Sequence, residues 1–123
     1  MIDTAIIVDL LRGHQPALDW IESLEVEDRF ISIVTVFELL EGCESLRAQR
    51  QLERELDGYV TLPITDAVSF QALAWLREHR LRAGVGYPDC LIGATARVFG
   101  LPLYTLNVRH FRALQGLRVE CPY

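Results

Sequence analysis

Arg29-Phe30-Ile31-Ser32-Ile33-Val34-Thr35-Val36-Phe37-Glu38-Leu39-Leu40-Glu41 carries the transition on which the architecture turns. Residues 29–33 are β-rich and short, a pattern that reads as a strand buried on both faces. Thr35 then caps or enters a helix predicted to continue past Arg54, with Gly58 near its end. A buried strand that hands over to a helix is the unit of a parallel sheet, because parallel neighbours need crossover connections. Glu38 falls in the first turn of that helix. It therefore sits near the carboxyl end of the strand, the rim at which open α/β sheets receive ligands.

The same handover recurs on both sides. Upstream, Ile2-Asp3 reads as the end of a short strand, followed by an apolar helix over residues 5–12 closed by Gly13. Apolar residues at 17, 18, 20, 21 and 24 then predict a helix with Pro16 in its first turn. Downstream, residues 59–63 read as an edge or terminal strand, since Pro63 cannot donate to a ladder. Thr65-Asp66 resembles an N-cap for a helix whose apolar face is Ala67, Phe70, Leu73, Ala74 and Leu76, broken at Gly84-Val85-Gly86. A helix rich in small residues over 88–96, a strand over 103–106, a helical turn over 109–112 and a last strand over 117–119 complete the chain. The alternation predicts one α/β domain over residues 1–123, a three-layer α/β/α sandwich around a mainly parallel central sheet of four to five strands.

At 123 residues and 50% apolar, the chain can bury a core without covalent staples. No apolar run approaches the roughly 18 residues that span a bilayer, and Met1-Ile2-Asp3 has no basic leader, so a soluble cytoplasmic product without membrane association is expected. Cys43, Cys90 and Cys121 lack the paired spacing of a zinc or redox motif and are expected as buried, reduced thiols. There is no lysine, which excludes Walker-type phosphate loops, Schiff-base enzymes and phosphoacceptor receivers. Net charge is −5, against a plain nucleic-acid-binding module. Its distribution is uneven: residues 1–61 hold thirteen acids and five Arg (−8), residues 62–123 four acids and seven Arg (+3). An acidic site beside a basic half suits cutting a polyanion.

Asp3, Glu38, Asp89 and Asn107 all fall where a strand hands over to a helix, so they can converge at one end of the sheet. Asp3 is a charge in a segment otherwise destined for the core, which burial alone would penalise. Three carboxylates from separate segments are the expected protein contribution to a Mg²⁺ or Mn²⁺ site. Without a cation they would repel one another and raise at least one pKa. Such a cation would polarise a phosphodiester and acidify a bound water.

These stretches resemble the motifs of PIN-domain nucleases, in particular the VapC-type toxins of toxin–antitoxin modules. Asp3-Thr4 before the apolar helix resembles the family's opening. Thr35-Val36-Phe37-Glu38-Leu39-Leu40-Glu41-Gly42 is similar to the second acidic motif, and Pro88-Asp89-Cys90-Leu91-Ile92-Gly93-Ala94-Thr95-Ala96 to the third. Thr105-Leu106-Asn107-Val108-Arg109-His110-Phe111 is similar to the fourth, with Asn at 107 where many relatives carry Asp. The resemblance spans nearly the whole chain. It implies a Mg²⁺- or Mn²⁺-dependent endoribonuclease with an RNA substrate, inhibited by a cognate VapB-like antitoxin and expected as a homodimer to which the helix over 16–24 contributes. Asp3, Glu38 and Asp89 would bind metal, while Asn107, helped by Thr105 or Thr4, would orient a water or a carboxylate. Neutral Asn107 implies one strongly held ion. The segment before Asp3 is short for a central strand.

Other polar groups offer less. Arg47, Arg50 and Arg54 share a helical face and read as solvated, with Glu53 and Glu55 interleaved. Arg77, His79, Arg80 and Arg82 precede the glycine-rich loop and could steer RNA toward Asp89. His14, His79 and His110 are scattered, with no serine-hydrolase elbow or zinc pair. Trp20 and Trp75 occupy apolar helical positions, as core or dimer contacts. A catalytically silent PIN-like module that binds protein or RNA is the competing class.

Overall fold

A computed structural model describes residues 1–123. In chain order the elements are α1 (Thr4–Leu11), α2 (Gln15–Glu22), a 3-10 turn (Val26–Asp28), β1 (Phe30–Ser32), α3 (Ile33–Glu41), α4 (Leu46–Leu56), β2 (Val60–Leu62), α5 (Asp66–Ala83), α6 (Tyr87–Val98), β3 (Leu103–Tyr104), α7 (Val108–Phe111) and β4 (Val119–Glu120). β1 pairs with β2 in parallel, Ile31 opposite Thr61, and β3 pairs with β4 in parallel, Leu103 opposite Val119. Ile2 forms parallel bridges to Ile31 on one side and Tyr104 on the other. Its N–H donates to Phe30 O at 2.8 Å, while the N–H of Asp3 donates to Tyr104 O at 3.0 Å.

Residues along these segments alternate between two cores, as the twofold period of an extended chain requires. Met1, Phe30 and Leu103 join Val68, Trp75, Ile92, Phe111 and Leu114 on the side of α5 and α6. Ile2, Ile31 and Tyr104 join Ile6, Ile7, Ile21, Leu39 and Leu52 on the side of α1, α2 and α4. Apolar packing therefore covers both faces. Each fully buried Ile contributes about 1.5–3 kcal/mol relative to exposure, so the two cores hold the strands although each strand is only two or three residues long.

Side-chain oxygens define the helix starts. Asp3 caps α1, Ser32 caps α3, Ser45 caps α4 and Thr65 caps α5, each accepting from a backbone N–H of the first turn. At the far end of α5, Gly84 takes φ +67°, the left-handed conformation that lets the chain turn back into α6.

Several local expectations are corrected. The strand ending at Asp3 is a single bridging residue, Ile2. The long helix from Thr35 past Arg54 is two helices: α3 begins two residues earlier, with Ser32 as its cap instead of Thr35, and the chain breaks between Gly42 and Ser45. Ser45 competes for the backbone there, its Oγ accepting from Ala48 N at 3.0 Å. The last strand is Val119–Glu120 rather than residues 117–119. Of the cysteines only Cys90 is buried, with Cys43 half-buried and Cys121 exposed. Trp75 is core, whereas Trp20 is half-buried with its ring edge on Tyr104 at 5.0 Å. On α2 no large apolar side chain is exposed, since Ala17 and Ile21 face inward.

Candidate active site

Asp3 leaves the bridging position of Ile2 and at once caps α1, which fixes its carboxylate. Oδ1 accepts from Thr4 N at 2.8 Å, and Oδ2 accepts from Thr105 Oγ1 at 2.6 Å. Thr105 follows β3, and its hydroxyl also accepts from Asn107 N at 3.0 Å. On the other flank, Thr4 Oγ1 lies 2.8 Å from Glu38 Oε1 and 3.0 Å from Thr35 Oγ1. One proton cannot serve both contacts; the carboxylate accepts from Thr4 and Thr35 donates to it. Asp89, in the first turn of α6, lies with Oδ2 3.4 Å from His110 Nδ1, which is 2.8 Å from the side-chain nitrogen of Asn107. The four predicted residues are thus joined through hydroxyls and one imidazole, from segments 100 residues apart.

Asp3 is 6% exposed. Its pKa is raised above the ordinary 3.8, first because burial penalises the charged form, then because Asp89 and Glu38 place negative charge nearby; the bonds from Thr105 and Thr4 oppose the rise without cancelling it. A buried carboxylate with two acidic neighbours and two threonine hydroxyls beside it has the chemistry of a hard divalent cation site. No three His, Cys, Asp or Glu side chains stand close enough to grip an ion together. A cation here would accordingly take few direct protein ligands and keep water, as Mg²⁺ commonly does. Glu38 also borders two open grooves, one of about 540 Å³ with Thr4, Arg12 and Cys43, and one of about 500 Å³ with Phe37, Ile64, Tyr87 and Leu91.

Two features escaped the sequence. His110 was one of three scattered histidines, yet it stands three residues after Asn107 on the same helical turn, the spacing that puts two side chains on one face. The Thr4–Thr35 hydroxyl contact had no signal beyond two threonines beside motif acids. Arg77, Arg80 and Arg82 lie exposed on the last turns of α5, while His79 is partly buried with an unpartnered Nε2. No bond links that stretch to Asp89.

Only Asp3 of the acids is buried; Glu38 lies exposed in the second turn of α3, and Asp89 opens a helix that follows α5, so neither sits at the handover from a strand that the sequence suggested. The order of these residues on this scaffold still defines a class. Residues 1–117 match the PIN domain family, and the chain belongs to it. It is 32% identical to ribonuclease VapC10 of Mycobacterium tuberculosis over 96% of this chain and 90% of that protein. Identity to the tRNA(fMet)-specific endonuclease VapC of Shigella flexneri is 28%, over 98% of this chain and 95% of the relative. The backbone matches a chain of the toxin–antitoxin complex from Klebsiella pneumoniae with a TM-score of 0.82 at 26% identity, covering 99% of this chain and 96% of that one.

Proposed function

We propose that this PIN domain is a Mg²⁺- or Mn²⁺-dependent endoribonuclease, the toxin of a type II toxin–antitoxin pair whose cognate partner is a VapB-like antitoxin. The observation that carries the reading is buried Asp3, directly after the bridging residue Ile2 and within electrostatic reach of Glu38 and Asp89. The names of the relatives, ribonucleases and a tRNA endonuclease, support RNA as substrate. The toxin–antitoxin complex among the structural neighbours supports the antitoxin. We read the two strand pairs and Ile2 as one five-strand sheet between two helical layers, which aims all four site residues at one rim.

Asp3, Glu38 and Asp89 are the metal-holding carboxylates. A bound dication supplies charge stabilisation for the phosphoryl oxygens and acidifies water. Asp3 is the fixed member, because both its oxygens already accept hydrogen bonds. Glu38 and Asp89, tied at one oxygen each, can reorient their free oxygens toward a substrate phosphate's counter-ion. Asn107 orients water. Hydrolysis adds one water: its oxygen bonds to phosphorus, one ester P–O bond breaks, and a proton passes to the leaving oxygen.

Neutral Asn107 and the single bridging residue before Asp3 favour a second reading, a silent module that binds without cutting. The antitoxin-free chain should cut RNA with Mg²⁺ or Mn²⁺ and stop in EDTA, and Asp3→Asn or Asp89→Asn should abolish cleavage. Undiminished cutting in EDTA, or by both variants, would end the nuclease assignment to this site. No cutting together with no Mn²⁺ binding by calorimetry would select the silent module.

A further inference from the structure

We propose that His110 is a positioning residue of this site: a proton on its Nδ1 ties Asp89 of α6 to Asn107 before α7 and so sets the orientation of both. The inference rests on the site reading above. Its geometry is independent of that reading.

The ring nitrogen lies 2.8 Å from the Asn107 side-chain amide and 3.4 Å from Asp89 Oδ2. In the ring plane Nδ1 carries either a lone pair or a hydrogen, never both. A carboxylate only accepts, so a lone pair on Nδ1 would face Asp89 with like partial charge. Placing the hydrogen on Nδ1 removes that conflict. The Asn107 amide then turns by half a rotation to present Oδ1, an exchange of two atoms of equal shape that the hydrogen-bond network decides. One N–H is thereby shared, strongly with Asn107 and more weakly with Asp89.

The bond completes a polar chain from Asp3 to Asp89. Thr105 donates to Asp3, Asn107 N donates to Thr105, the Asn107 side chain meets His110, and His110 meets Asp89. α7 is a single turn of four residues, anchored by fully buried Phe111. That anchor sets the depth of the turn but leaves Asn107 exposed, so the imidazole is what aims it. Without the ring, Asp89 and Asp3 feel each other only through repulsion, and Asp89 loses its protein partner.

The test uses the antitoxin-free chain and Mn²⁺ alone. In a His110→Asn side chain Nδ2 occupies nearly the place of imidazole Nδ1, whereas in His110→Gln the amide nitrogen takes the place of Nε2. Calorimetry should give His110→Ala and His110→Gln a Mn²⁺ affinity about tenfold or more below wild type, the usual loss when a ligand's partner is removed. His110→Asn should recover most of it. Long-range ¹⁵N–¹H spectra of the metal-free wild type should show a proton on Nδ1, a readout that needs neither metal nor mutation. Wild-type affinity in His110→Ala, equal rescue by Gln and Asn, or a bare Nδ1 in the spectra overturns the proposal. Failure of the wild type itself to bind Mn²⁺ would instead remove the metal reading, and the spectra alone would then decide the role of His110.

Discussion

Ionised Asp3 works against folding. Its two hydrogen bonds and its capping role lower its pKa, yet burial and the neighbouring acids outweigh them and the net shift is upward. The sign follows by linkage. Between the unfolded value near 3.8 and the raised folded value, the native state binds more protons than the unfolded one, so stability rises as pH falls through that window and is least above it. In chelator, Asp3→Asn should therefore raise the midpoint of thermal unfolding at pH 7, with the gap to wild type closing as pH falls toward 4. A variant less stable than wild type at pH 7 would contradict this account. Saturating Mn²⁺ should shrink the gap by stabilising wild type alone. Asp3 stood out in the sequence as a charge between Ile2 and the run Ala5-Ile6-Ile7-Val8, and the structure adds a structural task that the sequence reading did not give it, the cap of α1. His110 was not, since a histidine in a polar turn looks like any solvated residue until its neighbours are placed.

At the scale of elements, caps decide where acids point. Ser32 is fully buried, and its Oγ accepts from Val34 N at 3.1 Å, starting the helix that carries Glu38. Ser32→Ala leaves that N–H unpaired in the core and should cost about 1–2 kcal/mol in urea unfolding. A loss under about 0.3 kcal/mol would show that water or a shifted turn replaces the cap. Gly93 marks the tightest packing of α6: a Cβ there would meet Leu114 Cδ1 at 3.0 Å and Leu117 Cδ2 at 3.2 Å. Gly93→Ala sets overpacking of about 1–3 kcal/mol against roughly 1 kcal/mol of helix propensity gained, and a net loss in the same titration would show that Leu114 and Leu117 cannot give way. Helix identity and order were readable from apolar spacing. The α3–α4 break was not, because Gly42-Cys43-Glu44-Ser45 is short enough for periodicity on either side to run through it. The strands were placed but overdrawn, since two or three paired residues in the middle of an apolar run carry no mark of where pairing stops.

Over the whole molecule, one apolar face left open runs along α3, α5 and α6. Phe37 is 54% exposed and Tyr87 67% exposed beside Leu91, with Leu73 next along the same side. If two chains pair, this face presents exposed large apolar side chains, whereas α2 exposes none. Leu73→Glu should shift light-scattering mass toward the monomer while leaving the far-ultraviolet circular dichroism unchanged; an unchanged mass would place any pairing elsewhere. No helix is long and apolar enough to cross a membrane. Which face pairs was beyond the sequence, because an amphipathic helix does not say whether its apolar side meets its own core or another chain. Ile2 finally carries a consequence of its own. It is the one residue bridging both strand pairs, and the next residue is Asp3. Any opening of that seam frees the backbone of Asp3 and with it the buried carboxylate, so on the proposed reading the site opens with the sheet. Native-state hydrogen exchange at the Asp3 amide, bonded to Tyr104 O, should report the same opening free energy as the loss of cleavage in mild denaturant.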